Sequence, residues 1–162
     1  MTTDAPPPAL NWARILAYAV VEPPVTWTGR QRLHVGEHLL GPVPRLAIAQ
    51  NVGGPLTDIL LFHCGEDWTV LGVSGAATMA LVKAQAERAY AGISAAWIET
   101  DVSREDAEHY IRATYPGSSC SFCHRLATEV GTLVEGKDAF ICDRCIVAMR
   151  RAIQSPSGDG GG

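Results

Sequence analysis

The 162-residue sequence predicts an α+β protein with a small cysteine-rich module at its C-terminal end. Three observations support this fold class. Apolar segments separated by turn-forming residues predict a small mixed or antiparallel sheet. Other segments carry apolar residues at helical spacing, which predicts helices packed against that sheet. Two Cys-x-x-Cys pairs then lie between Cys120 and Cys145.

Composition and charge are those of a globular chain. Apolar residues make up 47% of the sequence and charged residues 19%, which argues against a disordered protein. The net charge of −4 argues against nucleic-acid binding. No basic segment precedes the first apolar run, and Arg14 interrupts that run, so we expect neither a signal peptide nor a membrane span. We predict a cytoplasmic protein.

The first domain is predicted to span residues 9–115, after a disordered, proline-rich lead-in at residues 1–8. Apolar spacing over residues 9–21 predicts a helix with Asn11 as a possible N-cap, ended by Pro23 and Pro24. Residues 25–40 are compatible with loops or one short strand. The following elements are clearer and predict a sheet with helices packed on it.

Three strands are predicted at residues 45–50, 58–64 and 68–73, joined as an antiparallel meander. An alanine-rich helix is predicted at residues 75–91 and a further strand at 94–99. A second helix is predicted from Ser103 to about Thr114, with Ser103 as N-cap and Asp106 completing an arrangement close to a capping box. Pro116 and Gly117 end this helix.

The two Cys-x-x-Cys pairs are the most specific motif in the chain. Cys120 and Cys123 form the first pair and Cys142 and Cys145 the second, with eighteen residues between Cys123 and Cys142. Two such turns can direct four thiolates at one ion, and four soft ligands suit a structural Zn²⁺ with no open position for chemistry. We also predict a hairpin over residues 133–141 and a closing helix from Asp143.

Two other interpretations of these cysteines stay open from sequence. The run from Cys120 to His124 spells C-x-x-C-H, which attaches c-type haem in some proteins. Either pair could also be a redox-active dithiol. The haem interpretation leaves the second pair unexplained, and structural zinc explains both pairs together.

The cysteine region resembles the N-terminal zinc-binding domain of ClpX, the unfoldase partner of the Clp protease. The resemblance covers residues 118–153 and is carried by the cysteine spacing and by these matching positions: Ser121, Phe122, Glu129, Val130, Leu133, Val134, Gly136, Ile141 and Asp143. It implies a treble-clef zinc finger that dimerises and recruits substrates and adaptor proteins. His124 stands where the family usually has glycine, and the ATPase that follows in ClpX is not in this sequence.

The closed four-thiolate site, together with the resemblance, predicts a non-enzymatic, zinc-binding protein-interaction module at residues 117–153. Residues 154–162 are rich in Ser and Gly and are predicted to be a flexible tail. Expected partners are a second copy of the chain, unfolded polypeptides or Clp-type machinery, which would make the protein an adaptor. We predict that partner contacts involve six apolar residues: Phe122, Leu126, Val134, Phe140, Ile146 and Met149. A fold this small needs some of them for its own stability.

The alternative is a small enzyme, either a serine hydrolase or a thiol oxidoreductase that uses a Cys-x-x-Cys pair. Ser74 lies in Gly-Val-Ser-Gly-Ala between a predicted strand and helix, where a nucleophile elbow would sit, and Asp101 and His109 follow in hydrolase order. The fifth position is Ala76 and not glycine, and the chain is too short for the usual eight-stranded hydrolase sheet, so we interpret the segment as an ordinary turn. Cys64 is predicted to be a small buried apolar residue, and we predict no catalytic residue.

Overall fold

The computed structural model describes residues 4–53 and 58–155. Parts of the predicted lead-in and tail, residues 1–3 and 156–162, lie outside these ranges, and so do residues 54–57, where the sequence predicts a turn. The chain divides into two compact units, which we call unit 1 (residues 1–110) and unit 2 (residues 111–162). The domain bounds expected from sequence, 9–115 and 117–153, stay predictions.

The described part of unit 1 is built on an antiparallel sheet with strand order β1-β2-β6-β7-β8, and β10 pairs with β2. The strands of the unit are β1 (Ala9–Leu10), β2 (Ala13–Val20), β3 (Thr26–Trp27), β4 (His34–Val35), β5 (His38–Leu39), β6 (Arg45–Asn51), β7 (Ile59–Cys64), β8 (Val70–Ala76), β9 (Tyr90–Ala91) and β10 (Ile98–Glu99). The short strands β3 and β9 pair with each other, as do β4 and β5. The predicted antiparallel meander is confirmed by β6, β7 and β8.

The helix predicted at residues 9–21 is wrong, because this segment forms two strands. Along β2 buried and half-buried residues alternate, which is the period of a strand. A β-bulge between Ile15 and Ala17 then shifts the register against β6. Ala13 and Ile15 therefore pack in one core cluster and Ala17 and Ala19 in the other. Because β2 contributes apolar residues to both clusters, its apolar positions are not confined to one alternating set. Their spacing therefore resembled that of a helix.

The turn between β1 and β2 corrects the predicted N-cap. Asn11 and Trp12 have φ of 42° and 69°, so they form a left-handed turn rather than the start of a helix. Asparagine tolerates this conformation better than most residues. The turn lets β1 fold back onto β2, where Leu10 lies opposite Ala13.

Helix α1 (Met79–Ala89) follows β8 and buries Val82, Ala86 and Ala89. These three residues belong to the core cluster that contains Leu46 and other residues of the sheet. The Thr78 side chain accepts a hydrogen bond from the Leu81 N–H at 3.2 Å and caps the helix. The helix thus begins four residues later than predicted, because β8 continues to Ala76.

Helix α2 (Arg104–Thr114) has the predicted capping box. The Asp106 N–H donates to Ser103 Oγ at 3.0 Å, and Asp106 Oδ2 accepts from the Ser103 N–H at 3.2 Å. The boundary between the two units falls within this helix. The predicted strand at 94–99 is shorter than expected, since Ile93–Ala95 is a 3₁₀ turn and only β10 pairs.

Unit 2 contains a hairpin and a helix, as predicted. Its elements are a 3₁₀ turn (Ala127–Glu129), β11 (Leu133–Glu135), β12 (Phe140–Cys142) and α3 (Asp143–Gln154). β11 and β12 pair antiparallel with Leu133 opposite Cys142. These elements place the two cysteine pairs together, and the treble-clef assignment stays a prediction. No helix in the described ranges is long and apolar enough to cross a membrane.

Candidate metal centre

The four cysteines come from two local structures of unit 2. Cys120 and Cys123 lie on a tight turn, in which the His124 N–H donates to the Cys120 carbonyl at 3.0 Å. His124 has φ of 60°, the conformation that a glycine would favour at this position. Cys142 ends β12 and Cys145 lies in the first turn of α3. The strand-to-helix junction therefore directs the second pair towards the first.

The sulfur positions fit one tetrahedral zinc ion. All four Sγ atoms lie within 4.8 Å of one another. Cys120 Sγ lies 3.8 Å from Cys145 Sγ, and Cys123 Sγ lies 3.7 Å from Cys142 Sγ. A Zn–S distance of about 2.3 Å in a regular tetrahedron requires sulfurs about 3.8 Å apart. These two distances agree with that value, and four protein ligands leave no open coordination position.

Backbone amides surround the sulfurs and stabilise their negative charge. The N–H groups of Phe122 and Cys142 each lie 3.4 Å from Cys120 Sγ, and the Cys145 N–H lies 3.4 Å from Cys142 Sγ. N–H donors favour the thiolate over the thiol, which is the form that binds metal. The chain is thus arranged to hold thiolates at this point.

The pKa values of two of the thiols shift in opposite directions. Burial raises the pKa of Cys120, but the N–H groups of Cys123, Cys142 and Phe122 outweigh it and lower the pKa to about 6. Burial and the three neighbouring cysteines raise the pKa of Cys145 to about 12. Four thiolates this close repel one another unless a cation lies among them, and a divalent ion supplies that charge.

Short polar contacts hold the cysteine turns in place. The Asp143 carboxylate accepts from the N–H groups of Gly131 and Thr132 at 3.1 and 3.2 Å. The Ser121 N–H donates to the Phe140 carbonyl at 2.7 Å, and Ser121 Oγ accepts from the Phe140 N–H at 2.9 Å. These contacts connect the first cysteine turn to β12 and fix the start of α3.

With this geometry in place, comparison with known proteins identifies the module. Residues 118–155 match the family model of the ClpX C4-type zinc finger. Unit 2 carries a ClpX-type zinc finger. The match covers less than a quarter of the chain, and no solved structure matches the chain. Because both Cys-x-x-Cys pairs contribute to one site, structural zinc accounts for all four cysteines, whereas haem attachment or a redox dithiol accounts for two.

The predicted partner residues fall into two groups. Phe122, Val134, Ile146 and Met149 have exposed side chains, and Phe122 is 53% exposed. Leu126 is fully buried, so it stabilises the zinc finger instead of being available to a partner. Phe140 is half-buried, and its ring lies against Gly117, where a Cβ would come within 3.1 Å of it.

Helix α3 exposes an apolar surface that extends beyond those residues. Ile153 is 84% exposed, and the helix buries none of its own residues. A surface cavity of about 360 Å³ lies along it, lined by Ile141, Ile146, Met149, Arg150, Ile153 and Gln154. Ile153 is not among the predicted partner residues, although its spacing of seven from Ile146 and four from Met149 places it on the same helix face.

The structure gives no support to the alternative of a nucleophile elbow at Ser74. Ser74 lies inside β8, which continues for two residues beyond it, so no strand-to-helix turn occurs there. Its Oγ lies 3.4 Å from Nε2 of His63 on the neighbouring strand, whereas His109 lies in α2. Sequence order suggested His109 as the histidine partner of Ser74. The β7–β8 register instead places His63 diagonally from Ser74, because His63 is opposite Gly72.

Cys64 is buried, as predicted. Burial, followed by the Asp67 charge and opposed by Arg45, raises the pKa of the Cys64 thiol to about 12. A thiol held protonated in an apolar environment is a poor nucleophile. Cys64 therefore fills space in the core cluster that also contains Phe62 and Trp68.

Proposed function

We propose that this protein is a non-enzymatic, zinc-stabilised protein-interaction module that self-associates through α3 and engages other polypeptides. The family match supports the zinc finger itself. The resemblance to ClpX supports unfolded polypeptides or Clp-type proteins as partners, which would make the chain an adaptor. Thiolate ligands persist in a reducing compartment, so a cytoplasmic location belongs to the same proposal.

The exposed apolar face of α3 is the observation that carries the proposal. Ile146, Met149 and Ile153 lie along one side of the helix and border the same surface cavity. A twelve-residue helix is marginal in water unless it packs an apolar face against something. The described residues leave this face partly uncovered, with Ile146, Met149 and Ile153 exposed by 40%, 37% and 84%, so a second copy of α3 is the occupant that we propose.

Self-association is tested by measuring the solution mass of the zinc-loaded full chain with light scattering. We expect a dimer for the natural sequence and a monomer for Ile153→Glu, since that change places a charge on the apolar face. Because Ile153 is 84% exposed, the substitution should not unfold the chain. Ala148→Glu adds the same charge on a different side of α3 and should stay dimeric.

Two results would count against the dimer. One is a natural chain that is monomeric at all accessible concentrations while it carries zinc. The other is an equal loss of dimer in Ile153→Glu and Ala148→Glu, which would show an effect of charge and not of the apolar face.

Partner binding is tested with a permanently unfolded, fluorescently labelled polypeptide titrated with the full chain. We expect binding that weakens in Phe122→Ser, because Phe122 is a large apolar side chain that is 53% exposed beside the metal site. Lys137→Ser, a polar residue of the β11–β12 turn, is the control. Equal affinity for all three proteins would remove Phe122 from the proposed surface.

The enzyme alternative makes different predictions for the same purified protein. A serine hydrolase would be labelled at Ser74 by a fluorophosphonate probe, and a thiol oxidoreductase would show a rapidly reacting cysteine pair. We expect neither, because Ser74 lacks elbow geometry and zinc-bound thiolates react slowly. Labelling at Ser74 that His63→Gln abolishes would favour the hydrolase.

A further inference from the structure

A cavity in unit 1 differs in chemistry from the rest of this acidic chain. Its volume is about 330 Å³, at the lower end of the range for small-molecule sites. It lies between the segment after β3, strands β7 and β8, and the last turn of α1. Arginine, glutamine and serine side chains dominate its polar lining, contributed by Arg30, Gln31, Arg32, Ser74, Gln85 and Arg88. None of the described residues that line it is acidic.

The three arginines gather without a counter-charge. Among the described residues Arg30, Arg32 and Arg88 form no salt bridge. Like charges in one cavity repel, and an anion would offset that repulsion. The guanidinium group presents paired N–H donors that match the oxygens of phosphate.

Backbone contacts hold two of these arginines in place. The Thr28 hydroxyl donates to the carbonyl oxygens of Arg88 and Ala89, and it also accepts from the Arg30 N–H. The Thr28 N–H donates to the Ala89 carbonyl at 2.9 Å. These bonds fasten the segment that carries Arg30 to the end of α1 that carries Arg88. The backbone therefore places the two arginines, which are 58 positions apart in the sequence, beside the same cavity.

The wall beside the arginines carries an acceptor that lacks a donor. Gln31 Nε2 lies 3.1 Å from Nε2 of His63, which is buried and also lies 3.4 Å from Ser74 Oγ. Gln31 Oε1 is buried with no hydrogen-bond partner. A buried acceptor without a donor costs free energy, so it favours a ligand that brings an O–H or N–H group.

We propose that unit 1 binds a small phosphate monoester in this cavity. Its phosphate lies against Arg30, Arg32 and Arg88, and a hydroxyl or amino group on the rest of the molecule donates to Gln31. Three guanidinium groups suit a doubly charged phosphate better than a singly charged carboxylate. All residues that line the cavity belong to unit 1, and none of them belongs to the zinc finger.

Unfolding of unit 1 can be followed separately in the full chain, because all four tryptophans (Trp12, Trp27, Trp68 and Trp97) belong to it. We expect inorganic phosphate to raise the midpoint of thermal unfolding monitored by tryptophan fluorescence, relative to sodium chloride at equal ionic strength. Glycerol 3-phosphate, which adds hydroxyl donors, should raise it further, and acetate should have less effect than phosphate.

Variants localise the effect. Arg30→Gln and Arg88→Gln should each reduce the phosphate-dependent shift at least twofold, whereas Arg151→Gln, which removes the same charge from α3, should retain it. The proposal is overturned if phosphate gives no more shift than sodium chloride, if acetate matches phosphate, or if all three variants respond equally. If a variant fails to fold, ³¹P line broadening of glycerol 3-phosphate by the natural chain decides, and its absence rejects the site.

Discussion

Removal of the metal should unfold α3 and the hairpin of unit 2 while unit 1 stays folded. The perturbation is Cys142→Ser, or chelation of the natural chain. Cys142 is a well-placed target because it is buried and ends β12, and its Sγ accepts from the Cys145 N–H at the start of α3. Serine is itself a preferred N-cap, so Cys142→Ser keeps the helix cap and removes only the metal ligand.

The magnitude follows from how little else holds unit 2 together. Its only fully buried aliphatic side chains in the described ranges are Ile111 and Leu126. Each stabilises the fold by about 2–3 kcal/mol. A structural zinc contributes on the order of 10 kcal/mol, so the metal dominates and its loss exceeds what packing can offset.

Far-ultraviolet circular dichroism measures the result. Helix α3 supplies 12 of the 34 residues in the three described α-helices, with 11 each in α1 and α2. We expect the helical signal at 222 nm to fall by about a third, because an isolated helix of this length does not persist in water. Tryptophan fluorescence should not change, since all four tryptophans lie in unit 1.

Cys64→Ala is the matched control, because it removes a sulfur from the buried core of unit 1 and leaves the metal site intact. It should keep both zinc and the full helical signal. An unchanged helical signal after complete zinc removal would refute the reasoning, and so would a loss of tryptophan signal in parallel with the helical signal.

Three further predictions concern unit 1. Gly75→Ala should lower the free energy of unfolding in urea by about 2 kcal/mol, because the new Cβ would lie 2.7 Å from the Ile59 carbonyl oxygen. Gly41→Ala is the control and should be neutral, since a Cβ there would have nothing within 4 Å. Equal effects of the two substitutions would contradict this packing. Burial lowers the pKa of His63 to about 4, so the folded state resists protonation of this side chain. The free energy of unfolding should keep its full value above pH 6.5 and fall by about 3 kcal/mol as the pH drops to 4. A His63→Gln variant whose stability falls as steeply with pH would contradict this assignment. The Cys64 thiol should react with a thiol reagent only upon unfolding, and labelling of the native protein would show that it is accessible.

The zinc site and the central meander could be predicted because their signals are local. Cys-x-x-Cys spacing fixes which sulfurs can share an ion, and turn residues separate strands that pair with their neighbours in sequence. The capping box at Ser103 and Asp106 has the same character, since both partners lie within one helical turn. Where a structure depends on a few adjacent residues, sequence patterns determine it.

The segment at residues 9–21 could not be predicted in the same way. Its pattern is set by a sheet that is covered on both faces and by the bulge between Ile15 and Ala17. A bulge exists only in relation to a partner strand, and that partner, β6, lies about thirty residues away. The apolar spacing alone therefore favoured a helix.

The unit 1 cavity could not be predicted from the sequence either, because its lining residues come from segments that are distant from one another along the chain. Arg30 and Arg88 come together through the bonds of Thr28 to the end of α1, and Ser74 reaches His63 only through the β7–β8 register. Glycines near Ser74 suggested a nucleophile turn. The structure gives Gly75 another role, since a Cβ there would collide with the backbone of β7.

The zinc content of the purified chain, combined with the optical spectrum of its cobalt-substituted form, tests the central claim most directly. We predict one zinc per chain, lost in Cys142→Ser, and a cobalt form with the intense visible bands of tetrahedral four-thiolate coordination. A chain that folds fully without metal, or a cobalt spectrum that indicates fewer than four sulfur ligands, would contradict the account.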